Sequence, residues 1–273
     1  MKFLSIILIT FRESLAKKIF VAFFALSTLV SFLLLFAVNL DIVDGMQSAI
    51  SIFGQEIPER VELEKIIYGI EGAIAVLLFS GGIFLSLFAT LNLTPSLLEE
   101  GYIDLFISKP LHRWQILLGR YLGGLSIVAF NILYLIIFSG IILSTKSGIW
   151  NSGFFLAGLI IILTFATLYA LMTFINICGG NGPVALMITY FIIFISPLLL
   201  QRDRIYALLS SKFYAYFLDG LYYILPKTAE LGNLTQKVVR DATINSWMPV
   251  WSSVLFIVVT MLLSFLIFNK KDF

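Results

Sequence analysis

The sequence predicts an all-α integral membrane protein with six transmembrane helices. Three observations carry that prediction. Hydrophobic residues make up 60% of the 273 positions and charged residues only 12%, a balance that suits lipid as the main solvent. The mean hydropathy is +1.01. The apolar residues also fall into long runs, most of them near the length that crosses a bilayer, separated by polar breaks. Residues 1–273 therefore read as a single transmembrane domain. A net charge of +2 gives no basis for a nucleic-acid partner. The one cysteine, Cys178, excludes an internal disulfide, and the one histidine, His112, excludes a multi-histidine metal site within one chain.

In chain order, residues 1–18 place Phe3, Leu4, Ile7, Leu8, Phe11 and Leu15 among Lys2, Arg12, Glu13 and Lys17. That pattern predicts an elbow helix lying in the membrane interface. Spans follow at about 19–40, 66–91, 121–143, 153–176, 184–200 and 249–268. Residues 41–65 are polar, acidic and broken by Pro58, and read as a loop. Gly179-Gly180-Asn181-Gly182-Pro183 reads as a tight turn. Residues 201–248 are apolar enough to resemble a further span, but Lys212 and Asp219 sit in the middle of 205–225. A central charge costs about 2.5–3.5 kcal/mol on insertion, and aromatic residues such as Tyr214 and Tyr222 suit the headgroup boundary. The segment is expected to be an extracytoplasmic interfacial or re-entrant helix ended by Pro226, with a second short helix around 228–239. Six spans put both termini on one side, and the Lys/Arg bias outside 201–248 favours the cytoplasm for them.

The polar island at 94–120 lies between spans two and three. Thr94 and Pro95 can start a helix, with Glu99 and Glu100 near its positive end. Leu98, Tyr102, Leu105 and Phe106 recur at helical spacing, and Pro110 ends the piece. An apolar ridge flanked by Glu99, Glu100 and Asp104 needs a cover, either the lipid surface or another protein. The run Glu100-Gly101, Leu105, Ser108-Lys109-Pro110-Leu111, Arg113, Ile116-Leu117 and Gly119-Arg120-Tyr121-Leu122-Gly123 resembles the signature loop of ABC-2 type permeases. The ending Phe268-Asn269-Lys270-Lys271-Asp272-Phe273 is similar to that family as well.

The resemblance implies the membrane subunit of an ATP-binding cassette transporter, in which residues 94–110 form a cytoplasmic coupling helix. Leu98, Glu99, Glu100, Gly101, Tyr102, Asp104, Phe106, Lys109, Pro110 and Arg113 would then contact separate ATPase subunits. A second permease copy or a related chain would complete the complex in the inner or plasma membrane of a bacterium. The resemblance leaves two outputs open: export of a substrate, or transmission of force to an extracytoplasmic partner protein.

No G-x-x-x-x-G-K-[ST] occurs in the chain, so ATP and Mg would be bound by the partner ATPase and no cofactor is expected here. The predicted spans hold neither histidine nor aspartate, which argues against an intramembrane protease or another membrane-bound enzyme. Glu71 is the one ionisable residue inside a predicted span. It is either a functional polar site or a side chain that reaches water or Lys65. Asn131 in span three is expected to hydrogen-bond between helices, and Gly123-Gly124 and Gly158 to permit close helix packing.

Overall fold

The computed structural model describes residues 2–16, 18–43, 47–52, 55–56, 63–98, 112–202 and 212–271. Helix α1 (Lys2–Ala16) meets α2 (Lys18–Ala37) at a bend of 72°. A three-stranded antiparallel sheet follows: β1 (Val38–Val43), β2 (Gln47–Ile52) and β3 (Gln55–Glu56), with Val38 opposite Ile52 and Ser51 opposite Glu56. This sheet corrects the loop expected at 41–65 and shortens the first apolar helix, which ends at Ala37 rather than near residue 40. The physical reason lies in the alternation Val38-Asn39-Leu40-Asp41-Ile42, whose period of two suits a strand.

The remaining helices are α3 (Leu63–Leu77), α4 (Ile83–Thr90), α5 (Arg113–Ser147), α6 (Ser152–Ile177), α7 (Gly182–Leu200), α8 (Lys212–Ile224), α9 (Thr228–Val239) and α10 (Met248–Lys270). A π-helical turn, Leu78–Gly82, joins α3 to α4 into one rod, and a 3-10 turn, Pro95–Leu98, follows α4. Five segments are long and apolar enough to cross a membrane: Glu64–Leu97, Arg113–Ser147, Ser152–Ile177, Gly182–Leu200 and Met248–Lys270. The bent α1/α2 pair raises the number to six if it is taken as one span. At 35 residues, α5 is about 52 Å long, well beyond a hydrocarbon core of roughly 30 Å. It starts eight residues before the expected span.

Local chemistry sets the breaks. Gly148 closes α5 in the left-handed region at φ 74°, and its N–H donates to the Ser144 carbonyl at 2.9 Å. The Asn151 side chain caps α6 by accepting from the Gly153 N–H at 2.9 Å. Asn181 caps α7 by accepting from the Val184 N–H at 3.1 Å, with Pro183 in the first turn. Within the rods, hydroxyls such as those of Thr90, Ser139, Thr164 and Thr189 return to backbone carbonyls of their own helix. They therefore need no partner from lipid.

The core lies where α3, α5 and α6 pack together, with Ile67, Leu87, Ile127, Ile136, Phe154 and Phe165 fully buried. α6 is the central helix, and most of its length is enclosed. Large apolar side chains such as Phe36, Met187, Phe194 and Leu255 stay exposed, as expected of surfaces that face lipid. One end of the bundle gathers Ile6, Leu97, Ile116, Ile177 and Phe268. The start of α1, the 95–98 turn, the start of α5 and the ends of α6 and α10 therefore lie together. The opposite end holds the start of α6 and the end of α9, where Asn151 meets the Val239 carbonyl.

Helices α8 and α9 are too short to cross and lie at that opposite end. α9 runs antiparallel to α3, with Gln236 donating to the Gly72 carbonyl at 3.4 Å and Gly232 against the Phe79 ring. Its first turn is inside the bundle, where the Ala229 N–H donates to Ser196 Oγ at 3.0 Å. The expected second short helix is present over the expected residues. Of the first, 212–224 is described, and 203–211 lies outside the described residues.

Candidate coupling site

Helix α1 is seated on α5 through glycine. A Cβ at Gly119 would stand 2.7 Å from Ile6 Cγ2, and one at Gly123 would stand 2.5 Å from Thr10 Cβ. No side chain fits at either position without separating the helices. The seated face of α1 is Ile6, Thr10 and Ser14, all buried, whereas Leu4, Leu8 and Leu15 point outward. The face rich in leucine is therefore free to meet lipid, and the small polar stripe makes the helix contact.

This seat brings Glu13 to Arg120. The guanidinium is 1% exposed and Nη1 donates to Glu13 Oε2, while Nη2 donates to Ser96 Oγ at 3.3 Å. Ser96 belongs to the 3-10 turn that leads into the polar island, so one buried cation ties α1, α5 and that turn together. Close by, Thr94 Oγ1 lies 3.5 Å from Thr173 Oγ1. Tyr121 stacks on Tyr169 at 5.2 Å and donates to the Ala166 carbonyl at 2.8 Å. Gly124 leaves the space that the Tyr169 hydroxyl fills, since a Cβ there would stand 2.7 Å from it. Asn176, in the last turn of α6, is fully buried, and among the described residues neither amide atom has a hydrogen-bond partner.

Arg113 opens α5 and reaches the far end of the chain. Its Nη1 donates to the Lys271 carbonyl at 2.7 Å and to the Asn269 carbonyl at 3.3 Å. These are terminal carbonyls of α10, where a cation is favoured by the helix dipole. His112 precedes α5, and its N–H donates to Gln115 Oε1 at 3.2 Å.

Of the residues predicted to contact an ATPase, Leu98 lies in the 3-10 turn and Arg113 is placed as above. Glu99, Glu100, Gly101, Tyr102, Asp104, Phe106, Lys109 and Pro110 lie outside the described residues. Thr94 was expected to cap a helix; its hydroxyl instead faces Thr173, and its carbonyl accepts from the Leu97 N–H at 3.1 Å.

The two intramembrane candidates are far from this cluster or apart from one another. Glu71 is 1% exposed and accepts from Asn151 Nδ2 at 2.6 Å, so it neither reaches water nor pairs with Lys65. The same Nδ2 donates to the Val239 carbonyl at 2.8 Å, linking α3, α6 and the end of α9. Asn131 does not bridge helices. Its Nδ2 donates to the Ile127 carbonyl of its own helix at 3.0 Å, and its Oδ1 has no partner among the described residues.

Among the described residues, no group of His, Cys, Asp and Glu side chains is placed to hold a metal. No protein-family model matches the chain, and no curated protein matches it. What the described geometry defines is the class: a multi-pass helical membrane protein with a polar junction at one end of its bundle.

Proposed function

We propose that this chain is the permease subunit of an ATP-binding cassette transporter of the ABC-2 type. It would couple ATP hydrolysis on separate subunits to export across the cell membrane. The observation that carries this reading is the junction at Arg120, which holds Glu13 of α1 and Ser96 of the turn that enters the polar island. A push on residues 99–111 reaches three elements at once through short connections: Ser96 to Arg120, Arg120 to Glu13, and Arg113 to the end of α10. The bend between α1 and α2 suits an elbow that lies along the interface and turns into the first span. Under this reading the island, the elbow and the chain end face the cytoplasm, and α8/α9 face the outside.

A second reading keeps the same machinery and changes the output. Glu71, Asn151 and the Val239 carbonyl connect the spans to α9, so motion of α3 and α6 reaches the α8/α9 hairpin. An extracytoplasmic partner docked there would receive force in place of a cargo.

The test is co-expression with a candidate ABC-type ATPase chain. The permease should purify as a complex with two ATPase subunits, and the isolated permease should hydrolyse no ATP. Specific hydrolysis by the isolated permease would contradict the assignment.

A further inference from the structure

Lys227 joins two cavities. It begins the turn into α9, is only 8% exposed, and its ammonium lies 4.3 Å from the Tyr222 ring centre and 5.8 Å from that of Tyr223. Those are cation–π distances. Among the described residues Lys227 makes no ion pair. One cavity, of about 450 Å³, is an apolar groove between α6, α10 and the tip of the α8/α9 hairpin, lined by Leu171, Ser252, Leu255, Val259 and Leu263. Its volume falls within the range of roughly 300–1,000 Å³ typical of small-molecule sites. The other, of about 290 Å³, is a chamber of mixed lining, with Asn233, Lys237, Asn245 and Ser246 beside Leu200, Leu234 and Ile244. Lys227 and Glu230 line the chamber too, and the Glu230 carboxylate accepts from the Tyr222 hydroxyl.

Length sets the occupant's shape. From Ser252 to Leu263 the groove follows eleven steps of α10, or roughly 16 Å at 1.5 Å per residue. That is about half of a 30 Å hydrocarbon core, the share of one leaflet. Lys227 marks the outer end, because it also borders the chamber beside Met248 and Pro249. Charge sets the occupant's head. Arg202 stacks on Tyr222 at 3.6 Å and pairs with Asp219 at 3.5 Å. Among the described residues lining the chamber, Lys227 and Lys237 face one carboxylate, Glu230, an excess of one positive charge.

We infer that the groove and chamber together bind one anionic phospholipid of the adjacent leaflet. An acyl chain lies along α10 and the phosphate sits at Lys227. The inference does not depend on the transporter reading. A second copy of the chain is a poorer occupant, because a two-fold contact brings the same surface, and the same excess cation, to face itself. A lipid phosphate supplies the opposite charge, and its chain fills a groove whose outer wall, at Leu255 and Val259, is open to the side.

Native mass spectrometry of the full chain from micelles holding equal phosphatidylglycerol and phosphatidylcholine tests this. The wild type should keep one phosphatidylglycerol, with a preference of roughly tenfold, because both lipids offer a phosphate but the choline cation offsets its charge in phosphatidylcholine. Lys227→Met should abolish the preference and Lys227→Arg should keep it. Val259→Trp, which fills the groove from an exposed position, should lose both lipids while melting like the wild type. Glycerol phosphate, a head without a chain, should displace nothing. Equal retention of the two lipids by the wild type would overturn the inference whatever the folding of the Lys227 variants. So would an unchanged preference in folded Lys227→Met, or displacement by glycerol phosphate. A Val259→Trp protein that keeps its lipid would overturn it as well, and if that protein also turned from dimer to monomer the groove would belong to a second copy.

Discussion

Glu13→Gln should destabilise the protein more than Arg120→Met, although both break the same pair. The guanidinium of Arg120 is 1% exposed, whereas the Glu13 side chain is 31% exposed. Glu13→Gln takes from a buried cation the carboxylate that it contacts on α1. Removing one partner of a buried pair costs about 3–5 kcal/mol, and the partial exposure of the pair together with the Ser96 hydroxyl lowers the expectation to about 2 kcal/mol. Arg120→Met instead removes the cation and leaves a carboxylate that can turn to water. Its cost should be about 1 kcal/mol, the worth of an ordinary hydrogen bond. The double variant should resemble Arg120→Met alone, which makes the coupling energy about 2 kcal/mol. Unfolding by SDS titration in mixed micelles, followed by circular dichroism, measures all four corners of the cycle. Effects that add within about 0.5 kcal/mol would mean that Glu13 and Arg120 do not interact, and the junction would be dismissed.

Other perturbations probe the remaining contacts. Gly123→Val should lift α1 from α5, because even its Cβ would stand 2.5 Å from Thr10 Cβ; protease cleavage near residue 17 should accelerate and the melting temperature should fall. Glu71→Leu should cost about 1–3 kcal/mol by leaving one of the two Asn151 Nδ2 hydrogens without an acceptor, whereas Glu71→Gln should cost less because its amide oxygen can accept the same bond. Neither Glu71 variant should weaken ATPase binding in a pull-down, since the residue lies at the other end of the bundle. In a Cys178→Ser background, an impermeant maleimide should label Lys237→Cys in intact cells and Asn269→Cys only after permeabilisation; the reverse pattern would invert the orientation.

Five of the apolar helices were legible in the sequence because burial in lipid demands long uninterrupted runs, and α6, α7 and α10 end within two residues of the expected bounds. The early start of α5 was not. Hydropathy senses the part of a helix that lipid surrounds, whereas in Arg113 to Arg120 the charged ends and Gln115 lower the signal and Ile116, Leu117, Gly119 and Arg120 are buried by protein. On α1 the leucines mark the face free to meet lipid, but the face seated on α5 was not legible, since packing within a membrane selects small residues such as Thr10 and Ser14. The strands at 38–52 carried a period-two signal that the surrounding polarity outweighed. Partners distant in sequence were beyond reach: Arg120 could be singled out as a motif residue, but nothing in the string places Glu13, 107 positions earlier, beside it. The same holds for Asn151, whose link to Glu71 spans 80 positions. Lys227 lay in a segment already read as interfacial, and its burial beside Tyr222 depends on how α8 and α9 fold back.

The central claim is that the polar island after span two receives an ATPase, and Gly101 tests it most directly. Under the proposed reading, Glu99, Glu100 and Asp104 would supply charge that fixes register, and Leu98, Tyr102 and Phe106 the apolar residues that seat on the partner. Gly101→Trp and Tyr102→Ala should each abolish pull-down of the co-expressed ATPase, or its stimulated turnover, while the permease still elutes as a folded protein in detergent. If both variants retain ATPase binding and full stimulation, residues 94–110 are not the coupling element, and the transporter assignment falls with them.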